Sequence, residues 1–154
     1  MEQPRTEVIR RLPSPRDPRG VARVFAGAKY MVDGLMTLRH WRGGWWRWKK
    51  THWAEIAVSE VENGVWNFTD DAVYIGKNNA DAPWLPNRRT VGDVVRALQS
   101  ICAMDDSIDT PCWLEDSQAG SIVACSNGLL DLATRNLVPH TPLHFNLNSL
   151  PFDY

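Results

Sequence analysis

The spacing of apolar positions changes several times along the chain, and each change predicts an element. From Val21 to Tyr30 a short apolar segment is expected to be helical. Between Leu35 and Trp53 aromatic and polar residues alternate about Gly43-Gly44, the pattern of two strands joined by a tight turn. With Gly43-Gly44 as the turn, Arg42 would pair with Trp45, Trp41 with Trp46, His40 with Arg47 and Arg39 with Trp48. Because side chains alternate across a strand, one face would carry His40, Arg42, Trp45, Arg47 and Lys49, and the other Arg39, Trp41, Trp46 and Trp48. Trp53, Ile56 and Val58 would add a third segment after a Lys49-Lys50-Thr51 turn, completing a small antiparallel meander.

Further on, Val61, Val65, Phe68, Ala72 and Ile75 fall at helical spacing, which predicts an amphipathic helix from about Val58 to Tyr74 despite Gly64. A loop with Pro83, Trp84 and Pro86 leads to Thr90, read as an N-cap with Asp93 three residues on. Val91, Val94, Val95, Leu98 and Ile101 then form the buried face of a helix ending near Met104. After an acidic loop come short strands at Cys112–Leu114, Ser121–Ser126, Leu129–Leu132 and Leu137–Val138, the last two around a turn near Thr134-Arg135-Asn136. The expected fold is α+β, a small antiparallel sheet with hairpins and two to three packed helices. It forms a single domain over residues 21–154. Residues 1–20, with Pro4, Pro13, Pro15 and Pro18 among arginines, are expected to be a disordered leader.

Composition sharpens interest in the hairpin. Of the eight tryptophans in 154 residues, Trp41, Trp45, Trp46, Trp48 and Trp53 crowd together, with no acidic residue between Gly34 and Ala54. Interleaved basic and aromatic side chains suit single-stranded nucleic acid, because rings stack on bases and cations meet phosphates. The Trp41, Trp46 and Trp48 face reads as core, since large aromatics dominate burial energetics in small domains. The His40, Arg42, Trp45, Arg47 and Lys49 face reads either as a wet, merely solvated surface or as a contact surface, with Arg88 and Arg89 as a secondary basic contact or solvated loop charges. Trp84, in its Pro-rich loop, is the candidate anchor for a protein interface instead. The net charge of -1 conceals basic early residues and an acidic stretch from Asp105 to Asp116, so it says little about partners.

Other chemistry finds little support. Three cysteines without C-x-x-C spacing indicate neither a disulfide framework nor zinc, and buried reduced thiols are expected. The first residues lack the pattern of a signal peptide and no apolar run approaches the length of a membrane span, so the chain is expected to be cytoplasmic. Nothing matches G-x-x-x-x-G-K-[ST], and Gly76-Lys77-Asn78 is no substitute. Asp70-Asp71 and Asp105-Asp106 are adjacent carboxylates that do not converge on a helix, and Pro142 interrupts His140 and His144. No local signature marks a serine or cysteine nucleophile, so no catalytic residue, metal site or cofactor is assigned.

The segment Cys125 to Pro142 is distinctive: a strand, Asn127-Gly128, leucines about Asp131, then Thr134, Leu137, His140 and Pro142. This resembles the N-G-x-x-D-hydrophobic … T-x-x-L-x-x-H-x-P signature of the helicase-associated N-terminal domain of phage and plasmid primase-helicases, the family of satellite-phage primases and the poxvirus replicative helicase. Gly44-Trp45-Trp46-Arg47-Trp48 with His52-Trp53 looks like that family's G-x-W-x-x-W … W hairpin. Pro83 to Arg89 with the helix to Leu98, and Asn146 to Tyr154, fit in order, so that the resemblance spans roughly residues 21–154. It implies an accessory role in DNA replication beside a superfamily 3 helicase. The chain ends at Tyr154 before any ATPase motif and starts without a primase motif, so it is expected to be an excised domain or a split or truncated gene product. The family's ATPase, helicase and primase activities therefore attach to none of its residues. Expected partners are single-stranded or forked DNA, and the helicase ATPase module or further copies of the chain. The other reading is a protein-docking module with no DNA contact.

Overall fold

The computed structural model describes residues 8–116 and 120–154 and is α+β. In chain order its elements begin with helix α1 (Pro18–Lys29), strands β1 (Met31–Val32), β2 (Leu35–Met36), β3 (Leu38–Trp41), β4 (Gly44–Trp48) and β5 (Trp53–Ile56), and helix α2 (Val58–Thr69). They continue with β6 (Val73–Ile75), β7 (Asp81–Pro83), helix α3 (Arg88–Cys102), β8 (Cys112–Trp113), β9 (Ile122–Cys125), β10 (Gly128–Asp131), β11 (Asn136–Val138) and β12 (His144–Phe145). The described residues gather into two compact units. One comprises the residues up to Ala28 with Ser59–Ile101, the other Lys29–Val58 with Cys102–Tyr154.

The first unit is built on helix ends that the local sequence dictates. Asp17 caps α1, its Oδ1 accepting the Gly20 N–H at 2.9 Å, and Pro18 occupies the first helical position, where no N–H is needed. α3 starts two residues before the expected Thr90. Asn87 is the cap, accepting the N–H groups of Arg89 and Thr90 at 3.0 and 3.1 Å, while Thr90 Oγ1 accepts the Asn87 N–H at 3.1 Å. Thr90 thus completes a reciprocal cap from inside the helix. α2 stops at Thr69 rather than near Tyr74, because Asp71 takes φ 56 and reverses the chain. Ala72 is then left as a buried residue of the connection, and Ile75 ends β6, which pairs with β7 in a two-stranded antiparallel ribbon.

Residues 1–7 of the expected loose leader lie outside the described residues, Val8 and Ile9 are exposed, and from Arg10 onward the chain is pinned. The Leu12 N–H donates to the Val73 carbonyl and the Val73 N–H to the Arg10 carbonyl, both at 2.9 Å, and Leu12 is buried. Arg11 forks onto Asp81, and Arg10 lies 4.4 Å from the Phe68 ring centroid. Proline richness prevents regular structure here without preventing packing.

In the second unit the meander β3-β4-β5 forms as expected, with a shifted turn. The partners are Trp41 with Gly44, His40 with Trp45, Arg39 with Trp46 and Leu38 with Arg47. The loop residues are therefore Arg42 and Gly43, at φ 48 and 77, the two positive values of a tight hairpin turn. Gly44 lies outside the turn, and a Cβ there would lie 2.8 Å from Glu55 Oε1, the end of a side chain that can swing aside. Moving a turn by one residue shifts cross-strand partners by two, so every side chain keeps its face. Trp41 and Trp53 are buried with Cys112 and Phe145, and Trp46, Trp48, Met104, Ile108, Leu114 and Leu147 pack around them.

Three further small sheets complete the unit. β1 pairs with β2, β12 pairs with β8, and β10 lies between β9 and β11. The two-residue loop between β9 and β10 is Ser126-Asn127, because Gly128 already pairs with Cys125. A Cβ on Gly128 would sit 2.6 Å from the Val138 carbonyl oxygen, so only glycine fits. Asp131 Oδ1 accepts the Ala133 and Thr134 N–H groups at 2.8 and 3.3 Å and shapes the return into β11, which holds its carboxyl below the usual range. Beside these, His144 is 1% exposed and Asn146 is buried. Asn146 Nδ2 donates to the Thr51 carbonyl at 3.3 Å and the Asn148 carbonyl at 2.6 Å. With both amide protons spent, Asn146 Oδ1 must accept, and His144 Nδ1 donates to it at 3.3 Å.

Burial lowers the His144 pKa from its ordinary value, opposed by Asn146 and assisted by His140. The unfolded chain takes up the proton near pH 6.5, while the folded chain resists it to lower pH. Stability is therefore full above that pH and declines below it. Thermal melts followed by circular dichroism should show a falling midpoint between about pH 7 and pH 5, and His144→Gln should flatten that slope. Gly128→Val should destabilise by roughly 1–3 kcal/mol through overpacking against Val138, measured by urea unfolding, with Asn127→Ala as a milder comparison.

Candidate functional site

The residues picked out for nucleic acid divide once the meander is folded. Trp45 is 4% exposed, and its ring meets His40 edge-on at 5.0 Å between centroids. It has no open face for a base, which corrects the expectation of a stacking platform. Leu38 is buried on the same face, so the surface expected to be wet and positive is largely interior at its centre. His40 is half-buried, and its carbonyl accepts the Met104 N–H at 2.9 Å, which ties β3 to the residues after α3.

Arg42 is exposed but engaged. Its Nε donates to the Asp106 carbonyl at 2.9 Å, and one Nη donates to the Ile108 carbonyl at 3.1 Å and to Asp109 Oδ1 at 2.8 Å. Asp106 Oδ1 accepts the Arg42 N–H at 2.9 Å, and the guanidinium lies 4.4 Å from the Trp41 ring centroid. The acidic loop thus neutralises the cation at the hairpin tip and holds the turn in its positive-φ shape. Arg47 is half-buried with its guanidinium 5.5 Å from the Tyr30 ring centroid. Lys49 and Lys50 are exposed at the next turn, where the Lys49 N–H donates to the His52 carbonyl at 2.7 Å. Arg39, on the opposite face, has a buried Nε without a hydrogen-bond partner among the described residues, and burial lowers its pKa.

Arg88 and Arg89 are exposed in the first turn of α3, in the other unit. Trp84, the expected surface anchor, is 2% exposed, and its indole N–H donates to the Pro13 carbonyl at 3.0 Å. It is an internal fastener of the first unit. The expected surface position is not the one observed, because the ring is buried and its one polar group is already bonded within the unit.

What sequence reasoning missed lies near the C-terminus. Leu137 and Val138 of β11 are partly exposed beside Gly128, and the last residues run back to the same turn. The Ser126 N–H donates to the Phe152 carbonyl at 3.0 Å, and Asn127 exchanges hydrogen bonds with the backbone of Tyr154 at 3.2 and 3.4 Å. Phe152 and Tyr154 are 58% and 63% exposed, so the segments that meet at the residues 126–128 turn carry several exposed apolar residues. Isolated apolar residues in a short tail carry no periodicity, which is why they gave no signal. The acidic run did carry one, since opposite charges in a small unit tend to meet.

Catalytic chemistry gains no constellation. All three cysteines are buried and unpaired, and burial pushes the Cys102 thiol up to about 12. Both ring nitrogens of His140 are buried without a hydrogen-bond partner among the described residues, and no cluster of three His, Cys, Asp or Glu side chains suited to a metal ion occurs among them. No helix of the described residues is long and apolar enough to cross a membrane.

Comparison with known proteins places this geometry. The model of a family described as "D5 N terminal like" matches residues 28–154. No curated protein and no solved structure matches. The match takes in the whole meander, the α2 to α3 segment and the Asn127-Gly128 hairpin, and its breadth decides membership: the chain belongs to the D5 N-terminal-like family, the N-terminal domain of phage and viral primase-helicase proteins.

Proposed function

We propose that this chain serves a phage-type primase-helicase as a protein-docking module, and that its principal partner is the helicase ATPase module. The observation that carries this reading is the exposure of four apolar residues, Leu137, Val138, Phe152 and Tyr154, on the segments that meet about the residues 126–128 turn. Exposed apolar patches mark interaction sites, and aromatic residues are enriched among the few that supply most binding energy. Trp45, the ring that would have stacked on a base, is instead committed inside the fold, and the Arg42 guanidinium is paired with Asp109 and bonded to the Asp106 and Ile108 carbonyls. The charge left for phosphate lies at Lys49 and Lys50, and at Arg88 and Arg89. That supports a second, subordinate reading, weak and sequence-independent contact with single-stranded or forked DNA.

Sedimentation of the chain with the helicase module should give a complex, and the double variant Leu137→Ser, Phe152→Ser should weaken it by at least about tenfold, the scale of one interface hot spot. Unchanged association would remove the docking reading. Arg42→Ala should cost about 1 kcal/mol of stability in urea unfolding and leave affinity for an oligothymidine nearly unchanged in fluorescence titration, because its charge is already met. Lys49→Ala with Lys50→Ala should lower whatever DNA affinity exists and make its salt dependence shallower. A large loss on Arg42→Ala alone would restore the hairpin tip as the nucleic-acid contact.

A further inference from the structure

Within the second unit a cleft of about 290 Å³ opens between β9, the residues around Pro111 and the chain after β12. Apolar side chains of Pro111, Ile122, Val123, Leu147 and Leu150 make most of its wall, and Thr110, His144, Asn146 and Asn148 line it as well. The tautomer of that histidine is set from behind. Asn146 spends both amide protons on the Thr51 and Asn148 carbonyls, so its Oδ1 can only accept, and His144 must donate from Nδ1. Nε2 of the neutral ring is then a lone-pair acceptor, and no partner for it occurs among the described residues. Trp113, edge-on at 4.9 Å between centroids, fixes the plane of the imidazole. A side chain 99% shielded, held by one amide and one indole, is thereby prepared with one acceptor and nothing to accept from.

We propose that this cleft binds an indole- or phenol-type ring, whose single N–H or O–H donates to His144 Nε2 while the ring lies against Pro111, Val123, Leu147 and Leu150. Size agrees: a dry cavity of roughly 150 Å³ suffices for benzene, so 290 Å³ takes a larger ring with its attachment leading out of the open side. Chemistry narrows the class. An aliphatic occupant would leave Nε2 unmatched. A ring with one donor satisfies both walls and acceptor, the usual composition of a small-ligand site. The same ring chemistry comes from two sources, a free small aromatic or a Trp or Tyr side chain of a polypeptide. The inference stands apart from the docking surface, which uses other residues.

The test is a heteronuclear NMR titration of the full chain with indole and with 1-methylindole, which keeps the ring and lacks the donor. Indole should give saturable shifts at Val123, His144 and Leu147 with a millimolar or tighter Kd, and 1-methylindole should bind about tenfold more weakly. His144→Phe should erase the difference between the two. Should that variant fail to fold, Val123→Phe, which narrows the cleft away from the histidine, should abolish the shifts for both. Comparing indole with the tripeptide Gly-Trp-Gly then separates the sources. Tighter binding of the tripeptide assigns a polypeptide partner, tighter binding of indole a small molecule, and either sustains the site. Equal affinity for indole and 1-methylindole, or no saturation in the millimolar range, overturns the proposal.

Discussion

The second unit depends on one buried contact, the ring of Phe145 among the tryptophans of the meander. Phe145 meets Trp41 and Trp53 at 5.3 Å and Trp46 at 6.4 Å between centroids, mostly edge to face. Such pairs favour edge-on arrangements because the ring face is negative and its edge positive, and each adds about 0.5–1.5 kcal/mol beyond area burial. The residue follows its partners by more than ninety positions, so a long-range contact joins strands that are individually too short to be stable. The indole N–H groups of Trp41 and Trp53 are buried without hydrogen-bond acceptors among the described residues, a cost this packing has to offset.

From that contact the other features follow. β12 carries Phe145, and its pairing with β8 places His144 against Trp113 and Asn146. Asn146 in turn takes the Trp53 N–H on its carbonyl at 2.7 Å, closing the edge of β5. The acidic loop before β8 then meets the hairpin tip, where Arg42 binds it through its backbone N–H and its guanidinium. Tryptophans that look like a nucleic-acid surface in a list of residues are, in space, the reason that these short strands hold together.

The family signature gains a physical explanation from the same geometry. Gly128 is confined by the Val138 carbonyl, Asp131 shapes the return to β11, and Asn127 fastens the chain end at Tyr154. These are requirements of a hairpin and its attachment. Residues that identify the family need not be the residues that contact a partner. What the hairpin presents, Leu137 and Val138 with the aromatic tail, is chemically unspecific enough to pass unnoticed in the sequence.

The sequence by itself determined the meander with its two faces, the bodies of the helices and the hairpin about Asn127-Gly128. Period-two alternation around the glycines required the meander, and its parity survived a turn displaced by one residue, so Trp41, Trp46 and Trp48 share a face in either register. Helical spacing located α2 and α3, with errors only at ends that Asp71 and Asn87 decide through local backbone geometry. Family membership was legible too, because its motif is local. Tertiary structure alone decided exposure. Alternation shows that Trp45 and Leu38 share a face but not that the face is covered, and proline content cannot show that Trp84 turns inward to Pro13. Whether a charge is available depends on what meets it, and Arg42 is met by Asp106 and Asp109 more than sixty residues away. Local pattern fixes which side a residue takes, and only long-range packing fixes what lies on that side.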